Sequence, residues 1–219
     1  MKTIVPRIKI CCISSVEEAA LAVSCGASAL GFVSAMPSGP GVIDEAHIAE
    51  IIRTVPPGIA TFLLTSRPDA DAILDQQQRC RPNTLQLVDH VAEQELTKLR
   101  RVLPGIALVQ VIHVTGPESV DEVNAVAPLV DAILLDSGNR NLAVKELGGT
   151  GRTHDWTISR KIREQCGRPL FLAGGLKPEN VGDAIDQVQP FGLDVCSGVR
   201  SGGKLDESKL RAFFSAAGQ

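Results

Sequence analysis

The chain has 219 residues, 44% of them hydrophobic and 21% charged, with a formal net charge of -3. That length holds one α/β barrel with a large core, and the balance is that of a soluble globular enzyme. Neither the charge nor the 3% aromatic content suits a nucleic-acid surface, and no apolar run approaches the ~18–20 residues of a membrane span.

In chain order, Arg7–Ile13 is apolar and β-rich and reads as a first strand. Ser14-Ser15 caps a helix with Glu17 and Glu18 in its first turn, and Ala19, Ala20, Leu21, Val23 and Ala27 form its buried face. Ala29–Ser34 is the second strand, followed by a Pro/Gly loop over Ala35–Gly41. Asp44 caps a helix bearing Ile48, Ile51 and Ile52 at helical spacing. Ile59–Thr65, Thr84–Val88, Ala107–Val114 and Ala132–Ser137 read as strands three to six. The helices between them open near Pro68, Val91 and Pro117. A long stretch, Gly138–Trp156, has no clear element and includes Gly148-Gly149-Thr150-Gly151; such loops in compact domains are commonly functional. After a helix over Thr157–Cys166 come strands Leu170–Ala173 and Leu193–Cys196, with a helix opened by Pro178-Glu179-Asn180-Val181 between them. Asp206–Phe214 is the last helix. Eight strand–helix pairs at roughly 25-residue spacing predict one (β/α)8 TIM barrel over residues 1–219, with a doubly wound open sheet as the structural rival.

The last two strands end in small residues, Gly174-Gly175 and Ser197-Gly198. Without a Cβ, such turns let backbone N–H groups approach a ligand, and two of them side by side suit a phosphate. The loops after the last strands of a (β/α)8 barrel hold phosphate in this way, and active sites lie at the C-terminal ends of the strands. Few reactive residues fall there: Cys11-Cys12 on strand one, Gln86 and Asp89 on strand four, His113 on strand five, Asp136 on strand six and Asp194 on strand eight. Strand alternation points Cys11 and Cys12 to opposite faces. A carboxylate after Ala132-Ile133-Leu134-Leu135 is costly to bury without a task, so Asp136 is a functional candidate. His113 and His154 read as structural or solvated. A thiol and a carboxylate above a phosphate nest suggest proton transfer on a phosphorylated sugar. The scattered cysteines and separated histidines show no metal spacing, and no cofactor is expected. The strand-like N-terminus and the free thiols suggest a cytoplasmic protein.

Together these residues resemble the phosphoribosylanthranilate isomerase family of tryptophan biosynthesis, an aromatic amino-acid pathway. The likeness spans nearly the whole chain: Lys9-Ile10-Cys11, Gly26-Ala27 with Leu30-Gly31-Phe32, Leu85-Gln86-Leu87, Leu134-Leu135-Asp136, Gly148-Gly149-Thr150-Gly151 with Asp155-Trp156, Leu172-Ala173-Gly174-Gly175-Leu176 and Asp194-Val195 with Ser197-Gly198-Val199. The resemblance implies an Amadori rearrangement, aminoaldose phosphate to aminoketose phosphate, without cofactor or metal. It implies Asp136 as general acid at the ribose ring oxygen and Cys11 as general base at the sugar C2. Gly149, Gly174, Gly175, Ser197 and Gly198 would hold the phosphate, and Gln86 and Asp194 would contact substrate. The partner is then a phosphorylated sugar substrate, with neither nucleic acid nor membrane involved and the protein a monomer or homodimer.

Three positions depart from the family pattern. Cys12 replaces the Gly after the catalytic Cys, and Val88-Asp89 replaces His-Gly after strand four. The loop Met36-Pro37-Ser38-Gly39-Pro40-Gly41-Val42 lacks the Arg that anchors the anthranilate carboxylate. Losing a cation against a carboxylate removes about 1.5–3 kcal/mol, and Gly41→Arg is expected to restore affinity. Two other readings are a paralogous isomerase of another phosphosugar and a non-catalytic phosphate-ligand-binding barrel.

Overall fold

The protein, seen in a computed structural model, is described over residues 5–138, 147 and 151–219. Eight parallel strands close into a barrel in sequence order: β1 (Arg7–Ile10), β2 (Ala29–Val33), β3 (Ala60–Thr65), β4 (Thr84–Leu87), β5 (Ala107–His113), β6 (Ala132–Asp136), β7 (Leu170–Leu172) and β8 (Gly192–Val195). Eight helices alternate with them: α1 (Val16–Ser24), α2 (Glu45–Ile52), α3 (Ala70–Cys80), α4 (Glu93–Val102), α5 (Ser119–Val126), α6 (Trp156–Gln165), α7 (Val181–Val188) and α8 (Glu207–Ala216). A two-stranded hairpin, β9 (Arg200–Ser201) and β10 (Lys204–Leu205), follows β8. The open-sheet rival is thereby excluded, because β1 pairs with both β2 and β8.

Five of the eight helices start at a side-chain cap. Ser15 accepts from the Glu18 amide, Asp44 from Ala46, Asp69 from Ala72, Asp155 from Thr157 and Asp206 from Lys209, each satisfying an otherwise orphaned N–H. Strand alternation divides the core into two layers. Ile8, Ile10, Leu30, Phe32, Leu63 and Leu85 pack outward against the helices. Val33, Phe62, Val109, Val111, Leu134 and Phe171 fill the barrel. In α1 the buried positions are Ala19 and Ala22, while Ala20 is exposed. The expected face is thus turned, since a three-residue step, rather than a run of neighbours, meets the sheet.

Strand one is shorter than expected. It ends at Ile10, because Cys12 takes a left-handed backbone with φ 63°. A non-glycine side chain in that region costs about 1–2 kcal/mol, and this is the position where the family pattern has glycine. The residues before and after the bend stay tied to the barrel: the Cys11 amide donates to Val195 and that of Ile13 to Gly31.

Candidate active site at the C-terminal mouth of the barrel

A cleft of about 620 Å3, open to solvent, lies over the C-terminal ends of the strands and is lined by Cys11, Cys12, Gln86, Asp136, Gly174, Gly175, Asp194, Cys196 and Ser197. Strand parity explains most of this list. Cys11, Gln86, Asp136 and Asp194 all occupy inward positions near the ends of their strands. Cys11, Asp136, Gln86 and Asp194 are buried, so the cleft holds its polar groups on a floor that little of the outer surface reaches.

Asp136 ends β6. Its Oδ1 accepts the Ser137 amide at 2.7 Å. Burial is the main influence on its carboxyl and pushes its pKa up to about 6 from 3.8; the Ser137 bond opposes this, the Asp194 charge adds to it and Lys9 opposes it. A carboxyl with a pKa near neutrality can give a proton and take it back in the same pH range.

Beneath the cleft lies a charge pair that the sequence reading overlooked. Lys9 is fully buried, and its Nζ donates to Asp194 Oδ1 at 2.8 Å, the two residues standing opposite each other in the β1–β8 register. Burial works against the Lys9 charge, but Asp194, followed by Cys11, outweighs it and raises the pKa. The ammonium also lies 5.3 Å from the centre of the Phe62 ring, within cation–π reach. Gly31 makes room for this arrangement, since a Cβ there would stand 2.8 Å from Lys9 Nζ and 3.0 Å from Cys11 Sγ. The signal for Lys9 was available: it shares parity with Cys11, and an inward Lys in a barrel demands a partner.

Gln86 Oε1 is buried and has no hydrogen-bond partner among the described residues. Such an atom facing a cleft is suited to a ligand donor. Gly174 and Gly175 have φ of 84° and 61°, and the loop they form is fastened by Asn180, whose Nδ2 donates to the Gly175 carbonyl at 3.0 Å. Gly198 is packed so closely that a Cβ would come within 1.9 Å of the Leu176 carbonyl, so the β7 and β8 loops touch only because it has none. None of the Gly174, Gly175, Ser197 and Gly198 amides donates a hydrogen bond to a described residue. Gly151 also lines the cleft, whereas Gly149 lies outside the described residues.

Two expectations need correction. Cys11 and Cys12 do not face opposite layers; both thiols line the cleft, because the strand has ended and the left-handed turn at Cys12 swings its side chain inward. Gly41→Arg cannot simply restore a cation, because a Cβ at Gly41 (φ 79°) would come within 2.5 Å of the Cys12 Cβ. The loop after β2 supplies Met36, Gly39 and Pro40 to the cleft, and no Lys or Arg is among the described lining residues. Asp89 is not among them either; its Oδ1 caps the His90 amide. His113 and His154 are structural, His113 Nε2 lying 3.2 Å from the Val88 carbonyl and His154 Nε2 2.7 Å from Ser159 Oγ.

A (β/α)8 barrel with a buried acid, a thiol and glycine-loop amides that no described residue takes up, all at its C-terminal mouth, has the layout of a barrel enzyme. The family model described as N-(5'-phosphoribosyl)anthranilate (PRA) isomerase matches residues 8–216. N-(5'-phosphoribosyl)anthranilate isomerase 2 of Methanosarcina mazei is 38% identical over 213 residues, covering 96% of this chain and 93% of its own. The phosphoribosyl anthranilate isomerase of Thermotoga maritima superposes with a TM-score of 0.84 at 30% identity, over 97% of this chain and 98% of its own. A phosphoribosyl anthranilate isomerase solved with reduced 1-(o-carboxyphenylamino)-1-deoxyribulose 5-phosphate superposes with a TM-score of 0.81 at 29% identity, over 97% and 98% of the two chains. The chain belongs to the phosphoribosylanthranilate isomerase family.

Proposed function

We propose that the protein isomerises N-(5'-phosphoribosyl)anthranilate to the corresponding 1-deoxyribulose 5-phosphate in tryptophan biosynthesis. The observation that carries this reading is the pairing of Cys11 and Asp136 on one cleft floor beside the unspent amides of Gly174, Gly175, Ser197 and Gly198. Those amides, with Gly149, hold the phosphate. Asp136, protonated at the start, gives its proton to the ribose ring oxygen, and the ring opens to a Schiff base. Cys11 as thiolate takes the proton from C2, leaving an enol amine that becomes the aminoketone as C1 gains a proton and the C2 hydroxyl gives up its own. Asp194, held by Lys9, and Gln86 orient the sugar. Each proton-transfer group contributes roughly 10^2–10^4-fold.

The relatives being isomerases of this family weighs against the paralogous and non-catalytic readings. The apolar lip of Met36 and Pro40 suits the anthranilate ring. The dimeric phosphoribosylanthranilate isomerase of Thermotoga maritima has also been solved as monomers; this chain is taken as a monomer or homodimer. Its six cysteines stand free, the state that a reducing cytoplasm maintains. The test is turnover of N-(5'-phosphoribosyl)anthranilate by the purified chain, followed by loss of anthranilate-conjugate fluorescence. Product formation supports the proposal, and its absence with substrate shown intact overturns it.

A further inference from the structure

Three thiols, Cys11, Cys12 and Cys196, line one cleft, and the proposed chemistry uses only the first. Cys196 follows β8, and Cys12 follows the neighbouring β1. Their sulfurs are 2.7 Å apart, and Cys12 Sγ also lies 3.6 Å from the Pro40 carbonyl. A disulfide has sulfurs about 2.05 Å apart, so the two side chains need only a small approach. They directly follow two paired strands of a closed barrel, which brings their loops together although 184 residues separate them in sequence. We propose that Cys12 and Cys196 form an oxidative modification site, a dithiol that closes to an intramolecular disulfide across the mouth of the barrel.

The pair is prepared for exchange with a small disulfide. Cys196 is partly exposed while Cys12 is buried, so Cys196 meets the oxidant. The Cys12 hydrogen bond is the main influence lowering the Cys196 pKa, with the Arg200 charge assisting against burial. The Cys12 thiol is pushed up, first by its hydrogen bonds to Cys11 and Cys196 and then by burial. Cys196, the more exposed of the two and the one whose pKa is lowered, is thus the attacking group and Cys12 the resolving thiol. The Cys196 thiolate attacks one sulfur of the small disulfide, whose S–S bond breaks and releases one thiolate. Cys12 then attacks the Cys196 sulfur of the mixed disulfide, gives up its proton and expels the second thiolate. Two protein thiols are oxidised and one small disulfide is reduced to two thiols.

Cys11 is the wrong partner for Cys12. Consecutive Cα atoms are about 3.8 Å apart, shorter than the ~4.4–6.8 Å that disulfides span. Cys12 therefore closes on Cys196 rather than on Cys11, and the loop after β1 is tied to the loop carrying Ser197 and Gly198.

The test incubates the full-length protein with oxidised glutathione, denatures it, alkylates the remaining thiols and records intact masses and peptide maps. The expected result is that two of the six thiols become unreactive without retained glutathione. In Cys11→Ala the map shows Cys12 joined to Cys196, and neither Cys12→Ser nor Cys196→Ser forms the bond. Six reactive thiols in the oxidised wild type, a persistent glutathione adduct or an intramolecular disulfide surviving in Cys12→Ser would each overturn the proposal. Should either serine variant fail to fold, the Cys11→Ala map decides alone: a link other than Cys12–Cys196, or none, refutes it.

Discussion

Replacing Asp136 with Asn should remove activity while improving the fold, and the size of the gain depends on pH. The Asp136 carboxyl is held at about 6 against an ordinary 3.8, with burial as the main cause. A carboxyl whose folded pKa lies above its unfolded one destabilises the fold only when ionised. Below pH 3.8 it is protonated in both states and costs nothing. The cost grows as pH rises from 3.8 to about 6 and is complete above that. A gap of about two pH units at ~1.4 kcal/mol each gives about 3 kcal/mol. Asn is neutral throughout, so the stability of Asp136→Asn relative to wild type should swing by about 2.5 kcal/mol in favour of the variant between pH 4 and pH 8, a small part of the full cost being already present at pH 4. Urea unfolding of both proteins at the two pH values measures it. Parallel stability of the two proteins across that range would refute the burial of an ionising carboxyl on which the argument rests.

Lys9→Met leaves Asp194 buried without its partner and should cost about 3–5 kcal/mol in urea unfolding, whereas Lys9→Met/Asp194→Leu should recover most of the loss. Gly198→Ala drives a methyl into the Leu176 carbonyl, parting the β7 and β8 loops. Inhibition by inorganic phosphate should weaken at least tenfold, and unchanged inhibition would place the anion elsewhere. Gly41→Ala meets the Cys12 Cβ at 2.5 Å and should lower stability by about 1–3 kcal/mol. Adding Cys12→Gly should relieve the clash and the left-handed strain together, raising the thermal midpoint above that of Gly41→Ala alone.

Barrel order, helix caps and the inward set of Cys11, Gln86, Asp136 and Asp194 were legible because each follows from a local rule: capping chemistry, glycine turns or strand parity. What stayed hidden depends on contacts distant in sequence. The Lys9–Asp194 pair needs β1 to close on β8. The thiol pair Cys12–Cys196 needs that closure and also the left-handed bend at Cys12, which no periodicity announces. The bend also explains why strand one was read three residues too long, since Cys11-Cys12-Ile13 has the apolar character of a strand but not its backbone. Gly41 looked like an open loop position, and only the packing shows that Cys12 fills the space beside it.

The central claim, that Cys11 and Asp136 divide the proton transfers on a phosphoribosylated amine, is tested most directly by single-variant kinetics. With N-(5'-phosphoribosyl)anthranilate as substrate, wild type should turn over, while Cys11→Ala and Asp136→Asn should each lose about 10^2–10^4 in kcat with phosphate inhibition retained. Wild-type kcat surviving in Cys11→Ala or in Asp136→Asn would contradict the assignment.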